Sequence, residues 1–304
     1  MAKTMFSVCT PTYNRADFLQ RVWQSLEKQS FRGFEWIIVD DGSTDTTWEV
    51  IEKIKSQCTF SLQYIKQSNR GKHAAVNRGA KGAKGFFFTI LDSDDRYKPG
   101  ALQSFADAYN NIDSTLQESI LGVAALLEDE TGTILGDKFP EDYWLSDNIT
   151  AKYIESIRGD KISAVKTSIM REFPFPENIG KFSPESIAWN RMALKYDSIY
   201  INKVVGVAEY QEGGLTDSSL LIQIHNPLGT VIVCRELLAS HHSFPFLTLA
   251  KLSVNFSRYA LHTGSFWRQW LPLPGHYITL IITLPIALLK WSQDKLKLHH
   301  EQIE

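Results

Sequence analysis

The sequence predicts an α/β fold: a Rossmann-like open sheet, mainly parallel and flanked by helices, with a helical C-terminal extension. Three observations carry this. In the first hundred residues short apolar runs alternate with stretches of helical periodicity, the pattern of βαβ units. The apolar runs end in polar and acidic turns, which such a sheet gathers on one edge. Beyond Gly213-Gly214 the chain becomes three helical stretches rich in Leu, Ile and Trp.

Met5 to Thr10 and Phe34 to Val39 are strand-like runs. Between them Leu19, Val22, Trp23 and Leu26 recur at helical spacing, with Asn14 as a plausible N-cap. Thr44 or Asp45 is placed to cap a second helix carrying Trp48, Ile51 and Ile54. Phe60 to Ile65 reads as a third strand, Lys72 to Lys84 as a third helix, and Phe86 to Leu91 as a fourth strand. The last is apolar on both faces, as a central strand should be. Further on, Ile120 to Leu127 and Ile134 to Phe139 are expected to form a hairpin about Thr131-Gly132. Pro184 to Lys195 reads as a helix, and Ile199 to Tyr210 as one or two strands. The C-terminal helical stretches are Leu220 to Ser240, Phe246 to His262 and His276 to Leu298.

With 43% hydrophobic and 22% charged residues, the 304-residue chain can bury a sizeable core. A formal charge of -2 argues against a protein that coats nucleic acid. Cys9, Cys58 and Cys234 are too scattered for a disulfide framework and read as buried small hydrophobes in a reducing, cytoplasmic setting. The apolar stretch after Met1-Ala2-Lys3-Thr4 is too short for a secretory leader. The run Tyr277 to Leu289, interrupted by Pro285, is too short to cross a bilayer.

The chemistry concentrates at the strand ends, which read Thr10-Pro11-Thr12-Tyr13-Asn14, Asp40-Asp41-Gly42-Ser43 and Asp92-Ser93-Asp94-Asp95. Taken alone, an acidic turn after an apolar strand reads as a solvated stop. Five carboxylates on one edge repel one another, and a divalent cation is their natural partner. Gly71-Lys72 opens a helix whose N–H groups and ammonium suit a diphosphate, though a solvated basic helix start fits equally. Tyr13 is placed either to stack on a base or to pack in the core. No Gly-x-Gly-x-x-Gly follows the first strand, so the dinucleotide fingerprint is absent.

The ordered set Val8-Cys9-Thr10-Pro11-Thr12-Tyr13-Asn14-Arg15, Ile38-Val39-Asp40-Asp41-Gly42-Ser43-Thr44-Asp45, Asn69-x-Gly71-Lys72-x-x-Ala75-x-Asn77-x-Gly79 and Leu91-Asp92-Ser93-Asp94-Asp95 resembles the family 2 glycosyltransferases of the GT-A fold. The resemblance covers about the first hundred residues and implies an open mixed sheet. It implies an inverting transfer of sugar from a nucleotide-diphosphate donor, chiefly UDP-linked, with Mg2+ or Mn2+. The acceptor implied is a glycan or lipid-linked glycan of a surface polysaccharide. By the same resemblance Pro11, Tyr13 and Asp40 sit at the base with Asp41 nearby, and Arg15, Lys72, Asn77 and Ser93 complete the nucleotide-sugar contacts. Asp92 and Asp94 face the ribose, diphosphate and metal, with Asp94 in direct metal contact.

An inverting transfer needs a base for the acceptor hydroxyl. The family's Gly-Glu-Asp segment, followed by a helix with an aromatic and then Arg, matches Ser183-Pro184-Glu185 with Trp189 and Arg191, and implies Glu185 as the base. Ser183-Pro184 departs from the pattern, which leaves open a non-catalytic sugar-binding relative. An acid in the first turn of a helix is also favourable without catalysis. A nucleotide-sugar pyrophosphorylase is the weaker alternative, because its Gly-rich loop after the first strand is missing. The expected domains are a catalytic unit over 1–215 and a helical extension over 216–304. In the extension Trp267, Trp270, Leu271, Leu273, Tyr277 and Trp291 frame the apolar run, with Arg268, Lys290, Lys295 and Lys297 alongside. These helices lie in a membrane interface, as a peripheral attachment, or pack on the catalytic unit or on a second copy.

Overall fold

The computed structural model describes residues 4–180, 182–209, 219–270 and 277–301. In chain order the first half runs β1 (Phe6–Thr12), α1 (Ala16–Glu27), β2 (Phe34–Asp40), α2 (Thr47–Gln57), β3 (Ser61–Lys66), α3 (Lys72–Gly82) and β4 (Phe87–Ile90). There follow β5 (Arg96–Tyr97), α4 (Ala101–Asn110), β6 (Ile120–Glu128), β7 (Tyr143–Ser146), β8 (Lys161–Lys166), α5 (Thr167–Glu172), α6 (Ser186–Ala193) and β9 (Asp197–Val207). Five helices complete it: α7 (Ser219–His225), α8 (Pro227–Leu238), α9 (Phe246–His262), α10 (Phe266–Trp270) and α11 (Tyr277–Glu301).

The strands form one mixed sheet in the order β3-β2-β1-β4-β8-β6-β9-β5, with β7 paired to β9. β1 runs parallel to β2 and β4, and β2 parallel to β3. β8 enters antiparallel between β4 and β6. The parallel quartet reverses its winding between β1 and β4, so their carboxyl ends bound the crevice where open α/β sheets take ligands.

The pleat divides the apolar residues between two layers. Phe6, Val8, Trp36 and Ile38 pack with Leu19, Val22, Ile51 and Phe105 of α1, α2 and α4 on one face. Cys9, Ile37, Val39 and Phe88 pack with α3, α5 and α6 on the other, through Ala75, Met170 and Met192. Gly79 lets α3 lie close on β1, since a Cβ there would stand 2.4 Å from Cys9 Sγ. A third cluster joins Ile187 and Ala193 of α6 to Val231, Leu237, Phe256, Tyr259 and Leu280 of the C-terminal helices. Two buried or half-buried carboxylates fasten it. Glu236 of α8 receives the Arg191 guanidinium at 2.6 and 2.9 Å, and Asp294 of α11 receives both Arg258 and His262 of α9.

The expected hairpin over 120–139 does not form. Both edges of β6 are taken by β8 and β9, so the stretch after it pairs with β6 only at the Glu128–Ile134 bridge, while Ile134 and Phe139 cluster with Ala124 and Leu126. The helical stretch 220–240 divides at Asn226, with Pro227 opening α8 where its missing N–H is harmless. Pro285 bends no boundary into α11, which runs through it. Cys9 and Cys234 are buried, whereas Cys58 is half-buried. Asn14 does not cap α1; with φ 50° its side chain instead accepts the Thr44 N–H at 2.8 Å, and Asp45 receives the Ala16 N–H. Gly213-Gly214, and with it the expected domain boundary, lies outside the described residues. No described helix is long and apolar enough to cross a membrane.

Candidate active site

Three segments meet at the carboxyl ends of β1 and β4: the loop after β1, the start of α3, and the turn after β4. Gly71, in the left-handed region at φ 94°, turns the chain into α3 and brings Lys72 to its first position. Asp41 fixes this approach by accepting the N–H groups of Arg70 at 2.9 Å and Gly71 at 2.7 Å, and the Gln67 side chain at 2.8 Å. Asp40, fully buried, accepts the Ser43 N–H and the Tyr64 hydroxyl, both at 2.7 Å.

Lys72 then reaches two carboxylates. Its Nζ donates to Asp92 Oδ2 at 2.6 Å and pairs with Glu185 Oε1 at 2.8 Å. Burial opposes its charge, but Asp92 and Glu185 hold it protonated, well above the usual lysine range. In return Lys72 keeps Glu185 below the usual carboxylate range, against its burial. Glu185 stands at the start of α6, and Trp189, one turn on, donates Nε1 to its Oε2 at 3.4 Å.

Burial pushes Asp92 up despite Lys72, and its Oδ1 is buried with no hydrogen-bond partner. Burial, then Asp92 and Asp94, push Asp95 up to about 8. Asp94 receives Arg15 at 3.1 Å. Among the described residues no three His, Cys, Asp or Glu side chains gather closely enough to hold a metal by themselves. An orphaned carboxylate oxygen beside two further acids nonetheless fits a hard cation that takes one or two protein carboxylates and completes its shell on phosphate.

The structure thus brings together Arg15, Lys72, Asp92, Asp94 and Glu185. Ser93 is buried in the same turn, Pro11 is buried in β1, and Tyr13 is exposed just beyond it. Asn77 is engaged elsewhere: its amide clamps the backbone N–H and C=O of Phe175 and the Glu177 carboxylate. Two neighbours border these residues, Trp189 beside Glu185 and Tyr64 beside Asp40, and of the two only Tyr64 was not singled out from sequence. Trp189 was legible as the i+4 partner of Glu185. Tyr64, in contact with Asp40, carried no local signal.

The model of glycosyl transferase family 2 matches residues 7–119, the stretch that carries β1 to β4 and all of the site except Glu185. That match, over a little more than a third of the chain, makes this stretch similar to a family 2 glycosyltransferase domain. Among solved structures, Staphylococcus aureus TarS 1-349 in complex with UDP-GlcNAc aligns with a TM-score of 0.62 at 20% identity, over 93% of this chain and 80% of that one. A mannosyltransferase from Pyrobaculum calidifontis, in complex with GDP-Man and Mn2+, aligns at 0.57 and 20% identity over 95% and 87%. These likenesses give the GT-A fold. A Campylobacter jejuni GalNAc(5)-diNAcBac-PP-undecaprenol beta-1,3-glucosyltransferase is 28% identical over 208 residues, 65% of this chain and 62% of the relative. The chain spans about a third or less of the length of several other curated relatives.

Proposed function

We propose that the chain is an inverting glycosyltransferase that moves a sugar from a nucleotide-diphosphate donor, a UDP-sugar, to a glycan or lipid-linked glycan acceptor. The observation that carries it is the Lys72 ammonium held between Asp92 and Glu185 at a sheet switch point. The family 2 match and the UDP-GlcNAc complex of the TarS fold relative support the same reading.

In this reading Tyr13 stacks on the base beside Pro11, while Asp40 and Asp41 order the loops around it. Arg15, Asn77 and Ser93 complete the donor site, Asn77 by fixing the segment at Phe175. Asp92 and Asp94 would hold Mg2+ or Mn2+, which neutralises charge gathering on the departing diphosphate. Lys72 gives the diphosphate a second positive charge. As it turns toward the donor it loosens its hold on Glu185, whose carboxylate then accepts the acceptor's hydroxyl proton. The hydroxyl oxygen bonds to the anomeric carbon as the bond from that carbon to the diphosphate oxygen breaks, and the nucleoside diphosphate leaves.

Glu185→Gln tests the assignment without removing the hydrogen-bonding side chain. Transfer is expected to fall by roughly 100-fold or more, with donor affinity retained by calorimetry. Unchanged turnover would remove Glu185 from the role of base.

A further inference from the structure

The outer surface of α11 is not the surface of an ordinary solvated helix. Ile278, Ile282, Pro285, Leu289 and Leu296 fall on one side of it, and Ile278 is 77% exposed, Ile282 66% and Leu289 61%. Leu280, Ala287 and Asp294, on the opposite side, are buried against the rest of the molecule. Lys290 and Lys297 border the apolar stripe on one flank and Lys295 on the other, each about 100° around the axis from its centre. From Tyr277 to Leu298 the sole acid is Asp294, which is 2% exposed and paired inward with Arg258 and His262.

We propose that this face lies in the headgroup region of an anionic lipid surface, with the stripe dipping toward the acyl chains and the lysines meeting lipid phosphates. Charge decides the occupant. A lipid surface with anionic headgroups complements all three lysines. A second copy of the same face would bring more lysines and no acid to answer them. The apolar run from Tyr277 to Leu289 is too short for a crossing, and Pro285 sets the depth. Its missing N–H leaves the Ile281 carbonyl without its helical donor on the outward side, where headgroup water can serve it and hydrocarbon cannot.

The inference is independent of sugar transfer, because attachment is read with no donor, metal or acceptor present. The full chain is sedimented with vesicles of phosphatidylcholine alone and of phosphatidylcholine mixed with phosphatidylglycerol. Binding to the mixed vesicles is expected to be stronger by roughly 10-fold or more and to weaken with salt. Replacing Lys290, Lys295 and Lys297 together by Gln should reduce it on the order of 100-fold. Ile282→Glu with Leu289→Glu, at positions that touch little of the protein, should abolish it while leaving the circular dichroism spectrum unchanged. No binding by the native chain overturns the proposal, as does equal binding by the folded double variant. A dimer split by the double variant, without vesicle binding, would assign the face to a second copy instead.

Discussion

An ammonium between two carboxylates is a different object from an exposed ion pair. Lys72 serves Asp92 and Glu185 at once, in a crevice where each partner also feels the other's charge. The sign of the coupling is testable. Lys72 depresses Glu185, so the ionised, proton-accepting form persists to lower pH than it would in a free glutamate. Lys72→Met removes that pull and leaves Asp92 as a like charge. The acidic limb of the pH dependence of kcat/KM is therefore expected to move to higher pH, beyond any loss in rate. A limb that stays in place would show that Glu185 is not the titrating base. The members of this cluster were legible one by one, because each sits in a strand-end or helix-start motif. Their contact was not: Lys72 and Glu185 meet only after α3 and α6 have packed on the same face of the sheet. Nor was the pairing of Arg15 with Asp94, which depends on how two strand-end turns face each other.

Among the elements, those of the parallel quartet were readable because its strands are short, largely apolar runs and its helices repeat at their own period. Legibility fails where neighbours rather than local pattern decide. β6 and the stretch after it read as a hairpin, yet the pairing of β6 on both edges leaves no ladder for a returning strand. β8 alternates too weakly to announce itself, with Lys166 buried at its end. α4, by contrast, carries Leu102, Phe105, Ala106 and Tyr109 at helical spacing and was there to be read. The helical extension rests on the Asp294 clamp. Burial raises this carboxyl, and the Arg258 and His262 hydrogen bonds more than reverse it, so it lies below the usual range. A depressed carboxyl stabilises fully above its unfolded pKa of about 4 and loses that contribution as pH falls through its lower folded value. Thermal melts should show the native chain losing stability below about pH 4 more steeply than Asp294→Asn. At pH 7, Asp294→Ala should cost about 3 kcal/mol in denaturant titration, by stranding a buried guanidinium. Parallel pH profiles for the two chains would deny the clamp its role.

For the molecule as a whole, the proposed reaction depends on a cation that the protein does not enclose by itself. Excess EDTA is expected to suppress transfer, with Mn2+ or Mg2+ restoring it; full activity in EDTA would contradict the assignment of Asp92 and Asp94. The sheet order adds a consequence for the order of events during folding. The parallel quartet and its strand-end loops are made from the first third of the chain, and its contacts close over short separations. Glu185 lies beyond β8 in the chain, and β8 sits antiparallel between β4 and β6, a pairing that requires distant segments to find one another. During synthesis the segments of the proposed donor site therefore leave the ribosome well before the segment that carries Glu185, the proposed base.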